Sequence, residues 1–352
     1  DLSDVTSTSI TFETEAGGAA VVDVVSGVNI VMEDAEGTAG HTTTFSLVSA
    51  DDSSSDTINI TLEDEQAAPL IFDDAGTDSE DDFETVNITI DPNSDFDDTT
   101  DFDVADLQGN NDTGNTSSET VLNIISANAD VEVVIAAFDA KSLDSTQVAG
   151  EFTATQTTDE TIEVVAGAGD TTVTLEGGTA ATTSATFIGG AGDDSVTFDD
   201  DNNAGYNAAD ATLGEVTAIT GAGDDTVLAR EVTTGTLYAE TGAGEDQITT
   251  SNLTSGTAVV LSGDDDDTVT FGTGTLAGVE VSMDLGAGDD TVEMRSSATA
   301  ATDEIVLDGG DGDDTFDLDT GTNAMDLTAG TLTLSNFEIL AFNDDFNSNV
   351  SY

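Results

Sequence analysis

Along most of this chain apolar residues fall on every second position in short runs, and clusters of Gly, Asp, Asn and Ser cut one run from the next. Strict alternation of this kind predicts half-buried β-strands, because successive side chains of a strand point to opposite faces. Residues 1–80 carry such runs at SITFET, VNIVMED, TTFSLV, TINITLED and PLIF and predict a strand-rich N-terminal region. The stretch 92–118, PNSDFDDTTDFDVADLQGNNDTGNTSS, is polar and turn-rich; it predicts an acidic surface excursion, not packed sheet, whose acids are candidates for binding cation. Strands return from 119 as TVLNIISA, VEVVIAAF, EFTATQT and ETIEVVAG and pass without a compositional break into glycine-rich coils. That continuity places the start of a solenoid between 81 and 120.

Within 166–317 one acidic turn recurs: GGAGDDSVT at 189, TGAGDDTVL at 220, TGAGEDQIT at 241, SGDDDDTVT at 262, LGAGDDTVE at 285 and GGDGDDTFD at 309. The sixth residues of these turns, Asp194, Asp225, Asp246, Asp267, Asp290 and Asp314, are separated by 31, 21, 21, 23 and 24 residues. A repeat of that length indicates coils that stack on one another. After each turn two apolar positions share a face: Val196 and Phe198, Val227 and Ala229, Val269 and Phe271, Val292 and Met294, Phe316 and Leu318. They predict an inward column. A second strand precedes each turn, marked by Phe187 and Ile188, Val216 and Ile219, Leu237, Val259 to Leu261, Val281 and Met283, Ile305 and Leu307. The expected fold is therefore all-β, a parallel β-helix or β-roll-like solenoid with cation-binding turns along one edge. Its expected divisions are an N-terminal β-rich region (1–80), first coils with the acidic excursion (81–165), repeat coils (166–320) and a C-terminal cap or connector (321–352).

The turns have the chemistry of a calcium site. Calcium takes about six to eight oxygen ligands from carboxylates and main-chain carbonyls. Glycine lets a turn aim its carbonyls inward, and stacking brings the acid of one coil near the carbonyls of the next, so that several ions couple the rungs. The candidate ligand set is the six sixth-position aspartates with the turn glycines Gly190, Gly192, Gly221, Gly223, Gly242, Gly244, Gly286, Gly288, Gly310 and Gly312. The preceding acids, Asp193, Asp224, Glu245, Asp266, Asp289 and Asp313, are expected to be solvated turn residues. His41, the one histidine, is expected at a surface or strand edge without a functional role. Asn59, Asn87, Asn111, Asn115, Asn252 and Asn349 head N-glycosylation sequons, which a chain this rich in Asn, Ser and Thr also generates by chance.

Charge strengthens the case for bound cations. Seventy-four Asp and Glu face only Lys141, Arg230 and Arg295, leaving a formal charge of -71 on 352 residues. Such self-repulsion opposes compaction until counter-ions bind, and it disfavours nucleic acid as a partner. General acidity of a protein from high salt would explain part of the charge but not the turn spacing. There is no cysteine to supply a disulfide or thiolate site. The chain begins at Asp1 without a signal-peptide apolar core, and no apolar run reaches the ~18 residues of a membrane span. A processed or excerpted soluble segment, not inserted in a membrane, is expected. Neither HExxH nor GxSxG occurs, and with no histidine for a triad only a carboxylate mechanism could support catalysis; an enzyme is not expected.

These turns resemble those of the RTX family of secreted calcium-binding proteins. FETVNITID at 83, TVLNIISANADVEVV at 120, KSLDSTQVAGEFTATQT at 141 and NFEILAF at 336 are similar to the strand repeats of RTX-containing bacterial S-layer and related cell-surface proteins, so that the likeness covers about 81–345. The resemblance implies ligation of calcium between coils by Asp194, Asp225, Asp246, Asp267, Asp290 and Asp314, type I secretion, and folding triggered by calcium outside the cell. It implies an extracellular or cell-surface structural protein that self-assembles into a surface layer, sheath or filament, with its own copies as partners and anionic surface polysaccharide bridged through calcium. A calcium-dependent adhesin, or the targeting repeats of a larger secreted protein, is the alternative.

The sequence also departs from the family. Its coils are longer than the 18-residue coil of tandem nonapeptides, so calcium is expected on one edge only. The first turn position is Gly only at Gly189 and Gly309, and Asp265 replaces the fourth Gly. In AGAGDTTVT at 166, Thr171 stands where the ligand Asp belongs, and that site is expected to be weak or empty.

Overall fold

The computed structural model describes residues 10–13, 20–33, 43–47, 56–63, 69–72, 83–91, 101–108, 120–156, 162–176, 184–199, 214–229, 232, 235–250, 253, 255–272, 275–276, 278–295, 297–298, 303–318 and 331–342. These residues are all-β, with no helix among them. The chain divides into two compact units, 1–174 and 175–352. Each is a parallel β-solenoid whose coils contribute strands to two sheets, so that a strand pairs with its counterpart in the next coil; the short strands Thr275–Leu276 and Ser297–Ala298 pair separately with each other.

In the first unit one sheet runs Ile10–Glu13, Val28–Glu33, Thr57–Leu62, Thr85–Ile90, Val121–Ser126, Ser142–Val148, Ile162–Val165. The other runs Ala20–Val24, Thr43–Leu47, Leu70–Phe72, Leu107–Gln108, Glu132–Asp139, Phe152–Gln156, Thr171–Glu176. Parallel pairing thus begins upstream of residue 81, at the first described strand. The reason is visible in TINITL and TVNITI, whose side chains alternate identically between half-exposed and buried. Phe45 and Phe72 stack inside this unit with ring centroids 5.8 Å apart.

The outer face of the first unit carries an amide ladder. Asn29, Asn59, Asn87 and Asn123 are in register. The Asn123 side-chain amide donates to Asn87 Oδ1 and that of Asn87 to Asn59 Oδ1, both at 2.7 Å. The amide nitrogen of Asn87 is therefore engaged within the sheet. The sequons at Asn111, Asn115, Asn252 and Asn349, like His41, lie outside the described residues.

The middle of 92–118 is not an excursion. Asp101–Val104 and Leu107–Gln108 both pair with Glu132–Asp139, and Phe102, Val104 and Leu107 are buried. The acids between them had masked an ordinary period-two strand, since aspartate on the outward positions leaves the inward ones free to pack.

In the second unit the sheets run Ser184–Ile188, Glu215–Ala222, Thr236–Ala243, Gly256–Asp264, Val279–Ala287, Glu304–Asp308, Thr331–Ser335 and Ser195–Asp199, Thr226–Ala229, Gln247–Thr250, Thr268–Phe271, Thr291–Met294, Thr315–Leu318, Ile339–Phe342. The column from Val196 and Phe198 to Phe316 and Leu318 is buried throughout. Each fully buried side chain of this kind contributes about 1.5–3 kcal/mol. In the facing sheet the register puts Ala258 and Val260 inward beneath Leu237 and Ala239, while Val259, Leu261 and Ile219 face outward and are half-exposed. Cross-strand pairing, and not side-chain size, decides which residues enter this narrow core.

Candidate metal centre

The acidic turns join the two sheets of the second unit and stack as the strands do. Their second-position glycines form one column, Gly190, Gly221, Gly242, Gly263, Gly286 and Gly310; Gly192, Gly223, Gly244, Gly288 and Gly312 form another, in which Asp265 takes a place. At Gly242 the backbone has φ +104, and a Cβ there would strike the carbonyl oxygen of Gly221 one coil earlier. Side-chain-free residues are needed because coils at strand spacing leave no room for one at this corner. Asp265 keeps the left-handed backbone, φ 79, with a residue type that tolerates it better than most. Some turn carbonyls already accept hydrogen bonds: Gly190 O from Ala222 N at 3.2 Å and Gly286 O from Asp311 N at 2.8 Å. A second lone pair remains on each.

All six sixth-position aspartates come together in one buried column, each 1 % exposed or less. Oδ1 of Asp225 accepts the Asp194 N–H at 2.7 Å, and the pattern repeats from Asp225 to Asp246 (2.8 Å), Asp246 to Asp267 (2.9 Å), Asp267 to Asp290 (2.8 Å) and Asp290 to Asp314 (2.9 Å). The other oxygen, Oδ2, of Asp225, Asp246, Asp267, Asp290 and Asp314 is buried with no hydrogen-bond partner. At Asp194 it accepts the Gly190 N–H at 2.9 Å. Thr171, the residue without a carboxylate, is buried too, and its hydroxyl donates to Gly169 O at 3.3 Å.

The preceding acids are exposed, as solvated turn residues should be, yet they also hold the coils together. Asp193 Oδ1 accepts the Asp224 N–H, Asp224 Oδ1 the Glu245 N–H, Asp266 Oδ1 the Asp289 N–H and Asp289 Oδ1 the Asp313 N–H, at 2.7–2.9 Å. In this outer ladder an amide bonds to the coil before it; in the inner one, to the coil after it.

A file of buried carboxylates is costly without counter-charge. Coils stack at about 4.8 Å, where two unit charges repel by about 3 kcal/mol at an effective dielectric of about 20. Burial pushes Asp225 and Asp290 up to about 6 and Asp267 up to about 7, and it raises Asp246 and Asp314 as well. Neighbouring acids add to the rise, while the donated N–H groups work against it.

Three buried hydroxyls in the same turns are a feature that the repeat pattern did not single out. Thr220, Thr241 and Ser262 occupy the first turn position and are fully buried, and they donate to the carbonyls of Thr241, Ser262 and Leu285 at 3.3, 3.0 and 2.9 Å. The signal was the recurrence of a hydroxyl in three successive coils where the family pattern has Gly. At Gly189 and Gly309 the same place is filled differently: a Cβ there would run into the carboxylate Oδ2 of Asp194 or Asp314 and into the carbonyl of Thr220 or Asn336 in the next coil.

Bare carboxylate Oδ2 atoms in stacked turns, with the Asn336 carbonyl beside that of Asp314, are oxygen donors of the kind a hard cation takes, so the residues present fit calcium. Among the described residues no three carboxylate or histidine side chains converge on one point, so each ion would take most of its oxygens from the main chain and from water. Compared with known protein families, curated proteins and solved structures, the chain matches none.

Proposed function

We propose that this is an extracellular calcium-binding structural protein of RTX type, whose coils are held by ions along one edge and which self-assembles into a surface layer, sheath or filament. The observation that carries the reading is the row of five buried aspartates, each with an unpartnered oxygen. Desolvating an ionised carboxylate without a partner costs several kcal/mol, and divalent cations shared between coils remove that cost and the mutual repulsion together. Folding is then linked to cation, as in other proteins whose sites exist only in the folded chain. Millimolar calcium, found outside cells, suits sites built largely from carbonyls and water. The RTX-like turn sequence and the parallel solenoid support the same assignment. No catalytic role is assigned to the column, and anionic surface polysaccharide is the further partner that calcium would bridge.

For self-assembly the support is the end of the second unit. There Ile339 and Leu340 are 48 % and 47 % exposed, on the last described strand of its sheet. Among the described residues no strand pairs with the outer edge of Ile339–Phe342, and an unpaired strand edge is a template for another chain.

The test is thermal unfolding of the full chain followed by circular dichroism in calcium and in EGTA, with calcium stoichiometry from isothermal titration. Chelation should lower the melting temperature and loosen 184–342. A β spectrum and melting temperature unchanged in chelator would overturn the reading.

A further inference from the structure

We propose that Glu338 is a metal ligand, the acid that closes a last calcium site between the turn at 309–314 and the short turn at 336–338. The proposal rests on the calcium reading of the column and extends it to a residue outside the repeat.

Strand register isolates Glu338. Asp308 pairs with Ser335 and Thr315 with Ile339, so that six residues in one coil face only three, Asn336, Phe337 and Glu338, in the next. Asn336 makes the shortcut with φ 57, a left-handed turn. Three residues fewer, the chain still sets an acid opposite Asp314: Glu338 N donates to Asp314 O at 3.1 Å, and Glu338 Oε2 accepts the Asp314 N–H at 2.9 Å. The carboxylate contact is the one that Asp225, Asp246, Asp267, Asp290 and Asp314 each make to the coil before them, at 2.7–2.9 Å. The extra methylene of Glu supplies the reach that the shortened turn lacks.

Two features beyond the acid itself point to a ligand. Asp314 Oδ2 is fully buried and has no partner. Beside it stands the carbonyl of Asn336, and Gly309 is pressed so close to both that a Cβ would lie 2.7 Å from Oδ2 and closer still to the carbonyl oxygen. The same pairing, a sixth-position Oδ2 with the first carbonyl of the following coil, occurs at Gly189 with Asp194 and Thr220. Glu338 is exposed, so an ion here has one side in solvent and completes its shell with water. It should be the weakest and fastest-exchanging site of the array.

Glu338 could instead serve only as an acceptor that ends the ladder, and the glutamine variant separates the two roles. Glu338→Gln keeps a carbonyl oxygen for the Asp314 N–H and removes the charge, whereas Glu338→Asp keeps the charge on a shorter arm. Calcium titration and terbium luminescence on the full chain read the sites directly, and melting in EGTA reads the fold. For a ligand, Glu338→Gln should lose one ion from the stoichiometry, or weaken the lowest-affinity class at least about tenfold. Its melting temperature in EGTA should stay at or above the parent's, and Glu338→Asp should bind more tightly than Glu338→Gln. Unchanged number and affinity in Glu338→Gln, with binding intact in the parent, overturns the role of Glu338 alone. Absence of calcium binding in the parent overturns both proposals. Should Glu338→Gln melt lower in EGTA, the Glu338→Asp comparison decides: equal calcium binding by the two variants rejects the ligand.

Discussion

Asp267 stands in the middle of the inner column, where burial pushes its carboxyl up to about 7, further than that of Asp225 or Asp290. In the unfolded chain its value lies near 3.9. Because the folded value is the higher one, the folded state holds the proton more tightly; its contribution is full below about pH 4 and is lost as pH rises through 6–7. In EGTA, stability should therefore fall between pH 5 and pH 8, and in calcium, which requires the deprotonated form, that fall should flatten. Asp267→Asn gives a sharper expectation because its sign depends on the ion. The amide oxygen can still accept the Asp246 N–H, but a buried charge is gone. The variant should melt higher than the parent in EGTA by about 1–2 kcal/mol of stability, a few degrees, and gain less from calcium. Asp193→Ala, at an exposed position, should change calcium affinity far less than Asp246→Ala or Asp267→Ala. Equal effects from all three would mean that general charge, and not the inner column, governs binding.

At the scale of strands and turns, the corner built on Gly242 is the least forgiving point. Gly242→Ala combines left-handed backbone with a methyl driven into the Gly221 carbonyl, and should cost at least about 2 kcal/mol. Thermal melts in saturating calcium check this, and a loss under about 0.5 kcal/mol, the range of an ordinary surface change, would contradict the stacking at this corner. The same scale shows what the sequence made legible. Period two and the repeat spacing were enough to find the inward column from Val196 to Leu318 and the six aspartates, because one buried face and one recurrent turn leave a pattern that side-chain type alone reveals. Asp101–Val104 was hidden by acids on its outward positions, and the inward choice of Ala258 and Val260 over Val259 and Leu261 depends on pairing with a neighbouring coil. Glu338 escaped for a related reason. Its place opposite Asp314 is set by register across a turn three residues shorter, and no motif of fixed spacing spans such a deletion.

For the molecule as a whole, a charge of -71 keeps copies apart until something bridges them. Millimolar calcium should promote association of the full chain beyond what monovalent salt achieves at equal ionic strength, as light scattering or negative-stain microscopy would show. Equal assembly in both would assign the effect to screening; a monomer in all calcium conditions would favour the adhesin or carrier-module alternative. The inner ladder adds a direction. From Asp194 to Asp314 each buried amide is clasped by the carboxylate of the coil that follows it, and the series finishes on Glu338. On this buried side a coil is completed only by its successor in sequence, whereas the exposed ladder ties it to its predecessor. Once calcium is added to the unfolded chain, order should spread backwards along the polypeptide, so that in pulsed hydrogen exchange the amides of Asp314 and Asp290 gain protection before that of Asp194. A polypeptide threaded out of a cell with its C-terminal end leading could then zip shut as it emerges, whereas one delivered in the order of its synthesis would trail open carboxylates until its last coil arrived.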